Sequence, residues 1–139
     1  VFFPFLNRVK NAFNKYKKIM LIIGVILALI PILSYKLIFW YLDINNSYAL
    51  PCLILLSISV FFIILYDIFG LNFFIVNNQD KIVMRNTIYA SVIGFILAFP
   101  LIHYWGIIGA ALNLVISRGI MGLGLTYKYS KYKMSMNKL

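Results

Sequence analysis

Few side chains in this 139-residue chain are able to do covalent chemistry. It has one histidine (His103), one cysteine (Cys52) and three acids (Asp43, Asp67 and Asp80) against 13 lysines and arginines. General acid–base catalysis, a Ser-His-Asp set or a zinc site each needs several such groups at set spacings, and these residues cannot supply them. Asp43 and Asp80 fall in polar connections on opposite sides of an apolar stretch. His103 stands beside Tyr104 and Trp105 and reads as an interfacial anchor, and Cys52, inside an apolar run, reads as a small buried residue. The expectation is therefore no enzyme, no cofactor and no metal. More informative are the polar groups inside apolar stretches, because ionisable groups in hydrocarbon are costly and tend to face a polar interior. Arg118 lies near the middle of the last such stretch, with Asn113 and Ser117 on neighbouring turns, and Asp67 lies late in the second. Helical rise puts Asp67 about 10 Å deeper than Arg118, so a direct pair needs the guanidinium to reach down. Arg118, Asn113, Ser117 and Asp67 are the candidate substrate-binding residues, lining a polar cavity.

The elements that must position them follow from hydropathy. Apolar residues make up 63% of the chain and charged residues 12%, with mean hydropathy +0.94. A soluble domain of this size has too much surface to cover with so few charges, so the excess apolar surface must face lipid. Crossing the hydrocarbon core takes about 20 apolar residues. Four segments qualify, at about 19–42, 48–76, 83–103 and 105–127. The polar stretches 43–47 and 77–81 connect the first three, and the very short link at 103–106 predicts an antiparallel hairpin of the last two. Pro31 removes one backbone hydrogen bond from the first span and predicts a kink. Residues 1–18 alternate apolar and basic positions at helical spacing, which predicts an amphipathic interfacial helix. The apolar run from Ile19 is too long for a signal-peptide core and predicts a retained span. Residues 128–139 form a basic tail. The expected fold is all-α integral membrane, four transmembrane helices preceded by the interfacial helix.

Charge orients them. The net charge is +10, and the basic residues flank apolar runs instead of forming a soluble patch, which argues against a nucleic-acid partner and for membrane lipids. Lys and Arg fall in the leading segment, in the connection holding Lys81 and Arg85, and in the tail, and the other two connections have none. The positive-inside rule then puts both termini and the middle connection in the cytoplasm. Trp40, Tyr41, Tyr48, Tyr104 and Trp105 cluster at the opposite face as an aromatic belt. In the last span, Gly106, Ala110, Asn113, Ser117 and Gly124 form a stripe of small and polar residues suited to close helix packing.

In order and spacing, three stretches resemble a known family. Val1-Phe2-Phe3-Pro4-Phe5-Leu6-Asn7-Arg8 is similar to an apolar-Pro-x-Leu-Ser-Arg stretch, Gly70 and Asn72 precede a polar loop, and Tyr104-Trp105-Gly106-Ile107-Ile108-Gly109-Ala110-Ala111 resembles a Gly-Ile-Ile-Gly-Ala-Ala signature. Together they resemble the C-terminal third of the bacterial polysaccharide, or O-antigen, flippases of the multidrug and oligosaccharidyl-lipid exporter superfamily. The resemblance implies helices nine to twelve of a twelve-helix, two-lobe transporter in the bacterial inner membrane. It implies a lipid-linked oligosaccharide on undecaprenyl diphosphate as substrate, moved between leaflets by alternating access for polysaccharide and lipopolysaccharide synthesis. The missing N-terminal helices would be partners, and the 139-residue piece alone is expected to be inactive. The chain departs from the family pattern at Arg118, where an acid often follows the serine, and at Lys36 and His103. A drug or organic-cation exporter of the same superfamily and a small non-transporting membrane scaffold are the alternatives. Arg118 argues against a cation site, which calls for acidic or aromatic linings.

Overall fold

The computed structural model describes residues 12–136, and no strand occurs among them. Helix α1 runs Ala12–Leu33 with Pro31 in its last turn, and α2 follows as Tyr35–Tyr41. Proline lacks an N–H, so the ladder is already weakened where the chain reaches Ser34. There the N–H and the hydroxyl of Ser34 both donate to the carbonyl of Ile30, while Ser34 itself, at φ −93° and ψ 12°, leaves the helical backbone. The expected span 19–42 is thus two helices. The chain then turns through Asp43, whose φ of 50° suits a short polar side chain able to bond locally. The Asn46 carboxamide oxygen accepts the Tyr48 N–H at 2.9 Å and sets the entry to α3, Ala49–Tyr66.

Helix α3 passes without a break into a π-helical segment, Asp67–Ile75. The Asn72 carboxamide donates to the carbonyl of Asp67, five residues back, at 2.9 Å, matching the wider π register. A turn with Asn78 at φ 57° leads into α4, Asp80–Met136. A straight helix of 57 residues would reach about 85 Å, far more than a bilayer's hydrocarbon core of about 30 Å. It does not stay straight. Gly106, at φ 53° and ψ −124°, breaks it in a conformation open to glycine, and residues 80–105 fold back on residues 107–136. A Cβ on Gly109 would strike the Leu101 carbonyl, one on Gly94 would strike the Ser117 hydroxyl, and one on Gly124 would meet Asn86. These pairs run in opposite order along the two arms, so the arms are antiparallel.

Three helices, Phe13–Leu33, Ala49–Ile75 and Asp80–Met134, are long and apolar enough to cross a membrane. With the composition, they make this an all-α membrane protein. Its core is lopsided. Ile64, Leu65, Ile68, Phe69, Phe74, Val83 and Leu125 form it, with Phe13, Tyr16 and Tyr129 packed against them. All lie where α1 begins, the π segment ends and α4 both starts and finishes, so the basic positions at 15–18, 81–85 and 128–133 gather at that end. At the opposite end Leu33 (79%), Trp40 (82%) and Tyr104 (79%) are largely exposed.

Both terminal segments join longer helices where they are described. Residues 12–18 are the first turns of α1, continuous with the apolar stretch that follows, and Phe13 and Tyr16 pack on the core. The rest of the leading segment, 1–11, and residues 137–139 lie outside the described residues. Residues 128–136 continue α4 as helix, because Tyr129 and Tyr132 reach back to the π segment. Tyr129 lies 4.6 Å from the Phe73 ring and 4.9 Å from Phe69, and Tyr132 lies 5.8 Å from Phe73. The Lys17 ammonium stands 5.4 Å over Phe69 and 5.5 Å over Tyr129, a cation–π contact joining both ends of the described chain.

Candidate functional site

Arg118 sits on the second arm of α4, on the side that meets α3. That approach is close because the neighbouring residues are glycines. A Cβ on Gly122 would come to 2.5 Å from the Phe62 carbonyl oxygen, and one on Gly119 to 3.7 Å from the Phe62 ring. The Arg118 guanidinium donates to the Ser59 hydroxyl at 2.8 Å. Ser59 is fully buried and donates its own proton to the Leu56 carbonyl at 2.6 Å, so its oxygen is left to accept from the arginine. Asp67 lies eight residues further along, about 12 Å at helical rise, and the arginine's partner is Ser59. Among the described residues the guanidinium's hydrogen-bond partner is thus a neutral hydroxyl.

The other three candidates face elsewhere. Ser117 meets Gly94 of the first arm. Asn113, one turn earlier on the same face, has a buried carboxamide oxygen with no hydrogen bond among the described residues. Asp67 is half-buried at the start of the π segment, where its carbonyl and the Tyr16 hydroxyl both receive the Asn72 carboxamide, each at 2.9 Å. The four residues expected in one polar cavity do not converge: Arg118 meets α3, Ser117 meets the first arm, Asp67 lies at the core end, and Asn113 is one turn before Ser117. Successive helical residues turn by 100°, so Ser117 and Arg118, though adjacent in sequence, serve different neighbours.

Several polar residues that matter carry little signal in the sequence. Ser57 and Ser59 sit in an apolar run, buried, each bonded to a carbonyl of its own helix. Asn86, 6% exposed, donates to the Met121 carbonyl at 3.0 Å and to that of Ile120 at 3.4 Å. Lys128 donates to its carboxamide oxygen at 3.3 Å, and Gly124 leaves it room. Its one sequence signal is an amide at the start of a span whose partner helix is rich in glycine. Asn86→Leu should destabilise the hairpin by about 1–2 kcal/mol, the upper range for interhelical hydrogen bonds in membranes. Equilibrium unfolding in micelles measures this, and a change below a few tenths would show that the clasp is idle.

Compared with family models, curated proteins and solved structures, the chain matches none of the three.

Proposed function

We propose that this chain is the C-terminal part of a flippase that moves undecaprenyl-diphosphate-linked oligosaccharide across the bacterial inner membrane by alternating access. The observation that carries the reading is Arg118: a permanent positive charge in the middle of a span, held by the neutral hydroxyl of Ser59. Charges within spans mark substrate or ion paths, and guanidinium matches phosphate oxygens bidentately, as a pyrophosphate-bearing substrate requires. The motif resemblance around Tyr104–Ala111 adds to it. In this reading the hairpin arms are two separate spans, giving four in all, helices nine to twelve of twelve, with both termini cytoplasmic. The gathering of Lys15, Lys18, Lys81, Arg85, Lys131 and Lys133 at one end of the bundle supports that orientation.

The scaffold alternative draws on the same bond. If Arg118 only ties α4 to α3, then the Arg118–Ser59 contact is an assembly contact and no transport follows. Replacement of Arg118 at the native locus, with membrane levels matched, separates them. Arg118→Ala should lower surface polysaccharide by at least about tenfold, as expected for loss of a hydrogen bond to a charged group. Arg118→Lys should recover part of it as a point charge. Normal polysaccharide in Arg118→Ala would sink the flippase reading. Heightened drug susceptibility of that variant, in a strain lacking its main exporters, would favour the drug-exporter alternative instead.

A further inference from the structure

At the end of the bundle away from the core, the break at Gly106 opens a cavity of about 690 Å³ bordered by Tyr48, Tyr104 and Trp105 and by the chain at Gly106, Ile107 and Ile108. That volume lies within the roughly 300–1,000 Å³ of small-ligand sites. Three features distinguish it from a plain interfacial anchor. First, the rings converge from two elements far apart in sequence. Tyr48 is set by the Asn46 turn that starts α3, and Tyr104 and Trp105 by the last turn of the first arm. Second, the rings are 59–79% exposed, so their faces remain available. Third, the helix is interrupted at Gly106, and a helix break leaves carbonyls on one side and N–H groups on the other in need of partners. None of the bordering residues is charged.

A pyranose ring has the matching chemistry. Its axial C–H bonds pack on an aromatic face, while its hydroxyls both donate and accept hydrogen bonds, as backbone groups at a break demand. A phospholipid anchor needs only an amphipathic ring at the headgroup level. It needs neither a cavity nor rings brought together from two elements. We propose that the cavity between Tyr48, Tyr104 and Trp105 binds one or two uncharged sugar rings of an oligosaccharide. That the oligosaccharide is the transported one rests on the flippase reading, whereas the binding itself does not. Arg118, in the middle of its span, and this cavity, at the hairpin tip, would then hold the two ends of one substrate: the pyrophosphate and the sugars.

The test uses the protein purified at native length in lipid nanodiscs, with saturation-transfer difference NMR. The probe is the repeat-unit oligosaccharide of the host's own surface polysaccharide, freed from its lipid by mild acid. Wild type should transfer saturation to the ring C–H protons of the sugar. Trp105→Leu combined with Tyr104→Leu keeps the apolar bulk that anchors in lipid but removes the aromatic faces. It should weaken sugar affinity about five- to tenfold at an unchanged melting temperature. Trp105→Phe retains a face and should retain most of the binding. No transfer with wild type, or equal transfer with the double leucine variant, overturns the proposal. Sugar transfer in wild type with normal polysaccharide in Arg118→Ala would remove the flippase reading alone, and lowered polysaccharide in Arg118→Ala with no transfer in wild type would remove the sugar site alone.

Discussion

Gly109→Val should prevent the hairpin of α4 from closing, and the protein should fall to a small fraction of its normal level in the membrane. At this position the two arms meet backbone to backbone. A Cβ on Gly109 would overlap the Leu101 carbonyl oxygen and crowd the Ile102 nitrogen. Neither atom belongs to a side chain that can rotate away, so relief requires the arms to separate just past the turn. Overpacking of a close contact costs about 1–3 kcal/mol when side chains can yield, and a backbone clash belongs at or beyond the top of that range. Gly119→Ala is the control. Its Cβ would sit 3.7 Å from the Phe62 ring, an ordinary contact, and its membrane level should match wild type. Gly106→Ala should fall between them, because its Cβ meets nothing but its φ of 53° is strained for any other residue, at about 1–3 kcal/mol. Immunoblots of membrane fractions rank the three, and equal levels for Gly109→Val and Gly119→Ala would contradict this hairpin.

Phe69→Ala should be among the most destabilising side-chain truncations, at about 3 kcal/mol or more by analogy with buried aromatics. Phe69 is 2% exposed, sits 4.9 Å from the Tyr129 ring and carries Lys17 on its face. Its removal would leave a cavity where three parts of the chain join, and would strip the ammonium of one of two rings. Thermal unfolding in detergent measures the total. A double-mutant cycle with Tyr129→Ala should then show strong non-additivity, since both rings bound one cluster. Lys17→Met should cost only about 0.5–1 kcal/mol, the usual value of a cation–π contact that is not fully dry. A cycle in which Phe69→Ala and Tyr129→Ala simply add would deny the cluster its cooperative role.

What could be read in advance was set by hydropathy and by turn chemistry. The stretch 48–76 became α3 and the π segment with a shift of a residue or so at each end, and the polar run 43–47 became the turn, because Asp and Asn tolerate its backbone. The short link at 103–106 became the Gly106 break, since glycine alone made so tight a reversal possible. The π register was illegible. Neither the composition nor the apolar spacing of 67–75 departs from that of an α-helix, and the deciding bonds come from the Asn72 side chain to Asp67 and to Tyr16 on another helix. The partner of Arg118 was illegible for a related reason. Attention goes to the acid, but helix rotation and depth hand the guanidinium to Ser59, a serine with no charge to advertise it. The helical continuation through residues 128–136 likewise rests on Tyr129 and Tyr132 meeting the rings of the π segment, which a basic composition does not announce.

The lopsided core has a mechanical meaning. With the packing collected around Phe69, Phe74 and Leu125, that end of the bundle is a fulcrum and the far end is a set of levers. A membrane-spanning helix is about 30 Å long, so a tilt of about 10° about the fulcrum carries its far tip about 5 Å, the width of one helical turn. Helix α1 is tied to the core through Phe13, Tyr16, Met20 and Leu21 and to α3 again at Gly24, where a Cβ would come to 3.1 Å from Ile64, whereas α2 buries no residue at all, so the swing is freest beyond Pro31. Trp40, near the end of α2, would then be carried furthest.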